Sequence, residues 1–232
     1  MFGNGLSTSP SYAAPEVRGA AVPEISAADN VIAQHRLLIN LGGRHIRMIA
    51  GAARCSPHNF VFLEGVKAAL KADPAYADGR YTSQPIRGLH AFGTAYAGWA
   101  YSQEFFRTGT YRDLGYENVG RLLSAWASDH EQMDANNLLA MLHTWQQADV
   151  GTAVRGGFEG ALRHIQARCI VMPSTTDLYF PTADSRIEVD LMSDAEVRSI
   201  VSDLGHIAGR PGIRSSETDQ ISDAMRQLLS VL

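Results

Sequence analysis

The sequence predicts an α/β fold, and three observations predict it. Arg168 to Met172 is an apolar run closed by Pro173, the pattern of a strand buried on both faces. Val197 to Val201 is a second such run. Between an early apolar stretch at His45 and the run at Arg168 lie about ninety residues of helical patterning with no strand alternation. Strand, helical block, strand, helix, strand, helix is the order of an α/β chain.

Taken in order, Met1 to Pro23 is rich in Gly, Ser and Pro and reads as loop. A helix starts near Ser26, with Ser26 and Asp29 resembling a capping box and Gly42 as its stop. Val31, Ile32, His35, Leu38 and Ile39 share one face of it. His45 to Ala53, with Ile46, Met48 and Ile49, reads as a short buried strand, and Arg54 to Asn59 as the loop after it. A helix follows from about Phe60 to Asp73, stopped by Pro74.

In the block from 75 to 165, Val119, Leu122, Leu123 and Trp126 form one apolar stripe, and Leu138, Met141, Leu142 and Trp145 another. These stripes need a surface to cover, so the block is expected to be a lid over the strand ends, joined near residues 72–76 and 163–168. The chain thus divides into a partial core at 1–74, a helical lid at 75–165 and a second part of the core at 166–232. The last helix begins at Ser216, with Asp219 three residues on, and aligns Ile221, Met225, Leu228 and Leu229.

Composition narrows the function classes. The 232 residues suit one large domain or one domain with an insertion, and 45% hydrophobic with 19% charged residues is globular. A net charge of −4 opposes non-specific nucleic-acid binding, which needs phosphate neutralisation. Two cysteines, Cys55 and Cys169, are too few for a disulfide framework. No apolar run is long enough to span a bilayer, and Met1 to Pro23 lacks the basic start and apolar core of a signal peptide, so a cytoplasmic protein is expected. There is no His-x-x-x-His, no Cys-x-x-Cys and no Gly-x-x-x-x-Gly-Lys, and Gly3-x-Gly5 lacks a third glycine, so neither a metal nor a nucleotide cofactor is expected.

Two residues stand just past the carboxyl ends of strands, where open α/β sheets place their active sites. Asp177 lies in Pro173-Ser-Thr-Thr-Asp-Leu-Tyr-Phe-Pro181, and His206 in Ser202-Asp-Leu-Gly-His-Ile-Ala-Gly209. Their spacing leaves room for one helix and one strand. A histidine base needs a buried carboxylate to hold one tautomer, and neighbouring strand ends supply that proximity. Acid then histidine also closes the Ser…Asp…His chain order of α/β-hydrolases.

Several segments together carry a family resemblance: Met1-Phe-Gly-Asn-Gly-Leu-Ser-Thr-Ser-Pro10, Ala53-Arg-Cys-Ser-Pro-His-Asn59, Gly88-Leu89 through Tyr101-Ser102, Asp134-Ala-Asn-Asn-Leu138, Thr176-Asp-Leu-Tyr-Phe-Pro181 and Gly205-His206. They resemble homoserine O-acetyltransferase-like members of the α/β-hydrolase superfamily. The resemblance implies a helical lid between strands six and seven, acyl transfer through an acyl-serine, and Asp177 and His206 as triad members. It implies acetyl-CoA or another acyl-CoA as co-substrate, a small-molecule acyl substrate, and no bound cofactor. It leaves homo-oligomerisation open. Tyr101 stands at a lid position resembling the family's substrate-facing tyrosine, although Ser102 follows where an arginine is usual. Arg107 and Arg87 are weaker candidates for a substrate carboxylate, since surface arginines are usually solvated.

The chain departs from the family pattern in ways that bear on chemistry. No Gly-x-Ser-x-Gly occurs, and Leu41-Gly-Gly43 runs directly into Arg44-His-Ile-Arg-Met-Ile-Ala-Gly51, which resembles strand six. Strand five, the nucleophile elbow and its helix are expected to be missing around Gly42 and Gly43. Met1-Phe-Gly-Asn-Gly5 resembles an internal family segment, so the early strands and one oxyanion loop are expected to be absent as well. What is expected is a partial α/β-hydrolase fold, with strand six left as an exposed edge. Ser56 and Cys55 are the available substitute nucleophiles, but Pro57 beside them marks a structural loop. Ile207-Ala-Gly-Arg-Pro211 lacks the acidic and aromatic continuation usual in the acetyltransferases, which argues against homoserine as substrate. The chain is expected to be an inactive acyltransferase or hydrolase. The other reading is a pseudoenzyme that binds a partner or small ligand through its lid.

Overall fold

The computed structural model describes residues 45–230. The expected N-terminal loop, the helix from Ser26 and the Gly42–Gly43 junction lie outside the described residues.

Among the described residues three parallel strands form the sheet, in the order β1 (His45–Ile49), β2 (Arg168–Met172), β3 (Ala195–Val197). Parallel neighbours require long crossovers. The first contains α1 (Pro57–Lys71), α2 (Ile86–Ala100), α3 (Gln103–Thr108), α4 (Val119–Glu131), α5 (Ala135–Gln146) and α6 (Gly157–Arg163). The second is α7 (Thr182–Val189), and α8 (Ser215–Leu229) closes the chain.

Strand alternation sorts β2 onto two cores. Ile170 and Met172 join the larger one, with Phe62, Leu63 and Leu70 of α1, Leu89 and Phe92 of α2, Leu122 and Trp126 of α4, and Ile221 and Leu228 of α8. Cys169 and Val171 join the smaller one, with Met48 of β1, Ala161 and Leu162 of α6, and Met192. Each large apolar side chain buried this way contributes about 1.5–3 kcal/mol. The block of 75–165 is therefore divided by its packing. Helices α2 to α5 share a core with α1 and one sheet face, whereas α6 packs with the residues of the other face. Gly93 lets α2 and α4 approach closely, since a Cβ there would lie 2.8 Å from the Trp126 carbonyl oxygen.

Three local expectations are corrected. Helix α1 starts at Pro57, not Phe60: Ser56 caps it, accepting from the Asn59 amide, and Pro57 occupies the first turn, where a missing N–H costs nothing. The last strand is Ala195–Val197, not Val197–Val201. Beyond it, pairing with the β2 side continues through the Arg198 amide to the Val171 carbonyl and through an isolated Ser174–Ile200 bridge, in which the Ile200 amide donates to the Pro173 carbonyl and the Thr175 amide to the Ile200 carbonyl. The last helix, α8, begins at Ser215, one residue before Ser216, and has no side-chain cap.

Glu188 of α7 is buried and accepts the Ala53 amide at 2.9 Å, fastening α7 to the loop after β1. Burial pushes its carboxyl up to about 7, against the Ala53 hydrogen bond, with Asp184 adding to the rise and Arg54 opposing it. Because the folded value lies above the unfolded one, the stability from this group is complete below about pH 4.5 and is lost as pH rises through about 7. Glu188→Gln should therefore gain stability over the parent chain on going from pH 5 to pH 8, on the order of 2–3 kcal/mol in urea unfolding. A difference that does not change with pH would show that Glu188 is not a buried titrating group.

Candidate active site

Strand β2 is buried from Cys169 onward and ends at Met172, before Pro173, which has no N–H to donate to the ladder. The chain then turns, and the Asp177 amide bonds back to the Ser174 carbonyl. The Asp177 side chain is fully buried. Its Oδ1 accepts the amides of Tyr179 at 2.8 Å and Phe180 at 3.1 Å, which fixes the carboxylate plane. Its Oδ2 faces Nδ1 of His206 at 3.0 Å. An ionised carboxylate only accepts, so the proton sits on Nδ1 and Nε2 is the basic nitrogen. His206 keeps 30% of its side-chain exposure, and the rings of Tyr179 and Phe180 stand beside it, with centroids at 4.7 and 5.5 Å. A base held by a buried acid, with part of its ring exposed, is an arrangement that general acid–base catalysis can use.

Two threonines join the acid loop to the histidine loop. Thr176 donates to the Ser202 carbonyl at 2.8 Å and accepts the Gly205 amide at 3.0 Å. Thr175 also donates to the Ser202 carbonyl and accepts the Ser202 amide. Ser202 in turn donates to the buried Glu217 of α8 at 2.6 Å. From α1, the buried Asn59 donates to the Tyr179 carbonyl at 2.8 Å. None of these residues was singled out by the sequence patterns, although Thr-Thr ahead of Asp177 and Ser-Asp ahead of Gly205-His206 are visible polar clusters in turns.

The structure brings Asp177 and His206 together and treats the remaining candidates differently. Tyr101 lies next to the histidine loop through its backbone, but its ring stacks on Phe105 at 4.1 Å and meets Trp126 edge-on. Burial pushes its phenol up to about 12. Arg107 is exposed and pairs with Glu104 on its own helix, so its contacts lie away from the dyad. Ser56 spends its hydroxyl on the cap of α1, and burial pushes the Cys55 thiol above its usual range, which leaves it a poor nucleophile. Among the described residues no three His, Cys, Asp or Glu side chains cluster to hold a metal, and no helix is long and apolar enough to cross a membrane.

No family model matches the chain. It is 31% identical to the ethyl acetate hydrolase of Pseudomonas veronii over 261 aligned positions, covering 99% of this chain and 74% of that protein. It is 31% identical to the homoserine O-acetyltransferase of Nitrobacter hamburgensis over 69% of this chain and 45% of that enzyme. The chain belongs to the esterase and homoserine O-acetyltransferase family of α/β-hydrolases. Its fold matches the crystal structure of the acetyl esterase MekB with a TM-score of 0.82 at 30% identity, over 87% of this chain. The chain spans 60% of the length of that α/β-hydrolase.

Gly205, next to the histidine, has φ +68°, and a Cβ there would lie 2.6 Å from the Ser102 amide nitrogen and 2.9 Å from the Ala100 carbonyl oxygen. Gly205→Ala should cost about 2–4 kcal/mol of unfolding free energy, from left-handed strain plus a clash with immobile backbone. Urea unfolding that shows a loss below about 1 kcal/mol would mean that the α2–α3 junction does not press on this loop.

Proposed function

We propose that this chain carries the acid–base half of a serine-type acyl-transfer site and forms no acyl-enzyme of its own. The observation that carries the reading is a buried Asp177–His206 hydrogen bond in a chain without Gly-x-Ser-x-Gly. In a complete site, His206 Nε2 takes the proton of the attacking serine, Asp177 stabilises the imidazolium, and the acyl group passes to water in an esterase or to an alcohol in an acyltransferase. An acyl-CoA is the co-substrate in the second case. Loss of the nucleophile removes the covalent step, and loss of the elbow amide removes an oxyanion donor whose contribution reaches about 3–4 kcal/mol.

The comparison with the ethyl acetate hydrolase supports this reading. The alignment is longer than the 232-residue chain, so that relative holds residues with no counterpart here, as a missing elbow segment around Gly42 and Gly43 requires. The structural duties of Ser56 and Cys55 support it as well. Helices of the 75–165 block that share a core with α1 serve as the lid, and the α2–α3 junction at Ala100, Tyr101 and Ser102 is where that lid meets the histidine loop in this reading. Both cysteines are free thiols, which suits a cytoplasmic setting.

A second reading, a pseudoenzyme that holds an uncharged acyl compound without converting it, is favoured by the rings of Tyr179 and Phe180 standing intact beside a partly exposed His206.

The purified chain should hydrolyse short-chain aryl esters no faster than its His206→Ala variant, and should make no O-acetylhomoserine from acetyl-CoA and homoserine. Turnover that His206→Ala abolishes would overturn the proposal and point back to Ser56 or Cys55.

A further inference from the structure

Asp203, three residues before His206, joins three parts of the molecule. Its carbonyl accepts the Ser102 hydroxyl at the start of α3. Its Oδ2 accepts the Thr110 hydroxyl at 2.6 Å, from the turn after α3. Its Oδ1 accepts from Arg214, the residue that leads into α8. Thr110 is buried, and Ser102 also caps α3 by accepting the Phe105 amide at 2.9 Å. The same contacts that start the lid helix therefore end on the histidine loop. Two residues on, the backbone of residues 100–102 presses on Gly205.

The other anchors of this loop, Thr175, Thr176 and Glu217, belong to the acid loop and α8. Asp203 is the point at which the lid also takes hold. Its hydrogen bonds with Thr110 and Arg214 keep the carboxyl below the usual range despite partial burial, so it is an anionic acceptor at neutral pH. Hydrogen bonds to a charged acceptor are stronger than neutral ones, and two converging donors define the loop position more sharply than one.

We propose that Asp203 is a positioning residue for His206: it couples docking of the lid helices to the alignment of the Asp177–His206 pair. The proposal rests on reading that pair as an acid–base dyad. Coupling of this kind is reciprocal, so whatever stabilises the docked lid also tightens the dyad, and lid opening loosens it.

The His206 Nδ1 proton reports on this directly, because a proton shared with a buried carboxylate exchanges slowly with water and is visible by NMR. The full chain should show this proton, and Asp177→Ala should remove it. Thr110→Val, close to isosteric, deletes the lid side of the latch and should speed its exchange roughly tenfold, as loss of a charge-assisted bond implies. Asp203→Ala should do the same or more. Asp203→Asn, which keeps an acceptor for Thr110, should fall between. Spectra are compared at a temperature where each variant is folded, and if Asp203→Ala does not fold, Thr110→Val decides. An exchange rate unchanged in Thr110→Val, or in a folded Asp203→Ala, would reduce Asp203 to a purely structural role and overturn the proposal. Failure of the dyad reading looks different: the proton would be missing in the parent chain, or present and indifferent to Asp177→Ala.

Discussion

The arrangement around the dyad is governed by one buried charge. Asp177 has no side-chain exposure, and an unpaired carboxylate in that position would cost several kcal/mol. Three donors among the described residues compensate it: the Tyr179 and Phe180 amides on Oδ1 and His206 on Oδ2. Two are supplied by the turn itself, which is why the segment after β2 is bounded by Pro173 and Pro181 and folds back within a few residues. The third must come from a different strand end. That requirement gives the parallel order of β2 and β3, the threonine pair that joins the loops, and the glycine that lets the α2–α3 junction close over His206 their places in the fold.

Because all three donors lie within the acid and histidine loops, the geometry of the dyad does not depend on a nucleophile. A serine elbow contributes chemistry to such a site but no hydrogen bond to the carboxylate. A family member can therefore lose its nucleophile and keep the acid–base pair in working geometry. In the proposed reading, function turns on what meets Nε2 of His206, not on whether the pair is formed.

The sequence revealed the parts of the fold that local chemistry determines. Strand β2 was legible because burial on both faces leaves an uninterrupted apolar run closed by a proline. Asp177 and His206 are legible because each sits in a Gly- or turn-rich segment that follows an apolar run. The last strand was misplaced for a physical reason: apolar character reports burial, not ladder pairing. Ile200 is fully buried yet lies beyond β3, and Val201 is 71% exposed. The start of α1 is hard to see in the sequence because Ser-Pro within Arg54 to Asn59 suits a loop as well as a helix N-terminus capped by the serine. The separation of α6 from the other helices of the 75–165 block is not legible, since its apolar residues would suit either sheet face. Asp203 stands in a visible Ser-Asp cluster, but its role is not legible, because its partners Thr110 and Ser102 lie 93 and 101 residues away.

The central claim is that a competent acid–histidine pair stands in this chain with no nucleophile beside it. The most direct test is the intact mass of the 232-residue chain after exposure to a fluorophosphonate, which phosphonylates a serine hydroxyl activated by a neighbouring histidine base. The account predicts an unmodified mass. A stoichiometric adduct that His206→Ala prevents would contradict it, because it would place a nucleophilic hydroxyl within reach of Nε2.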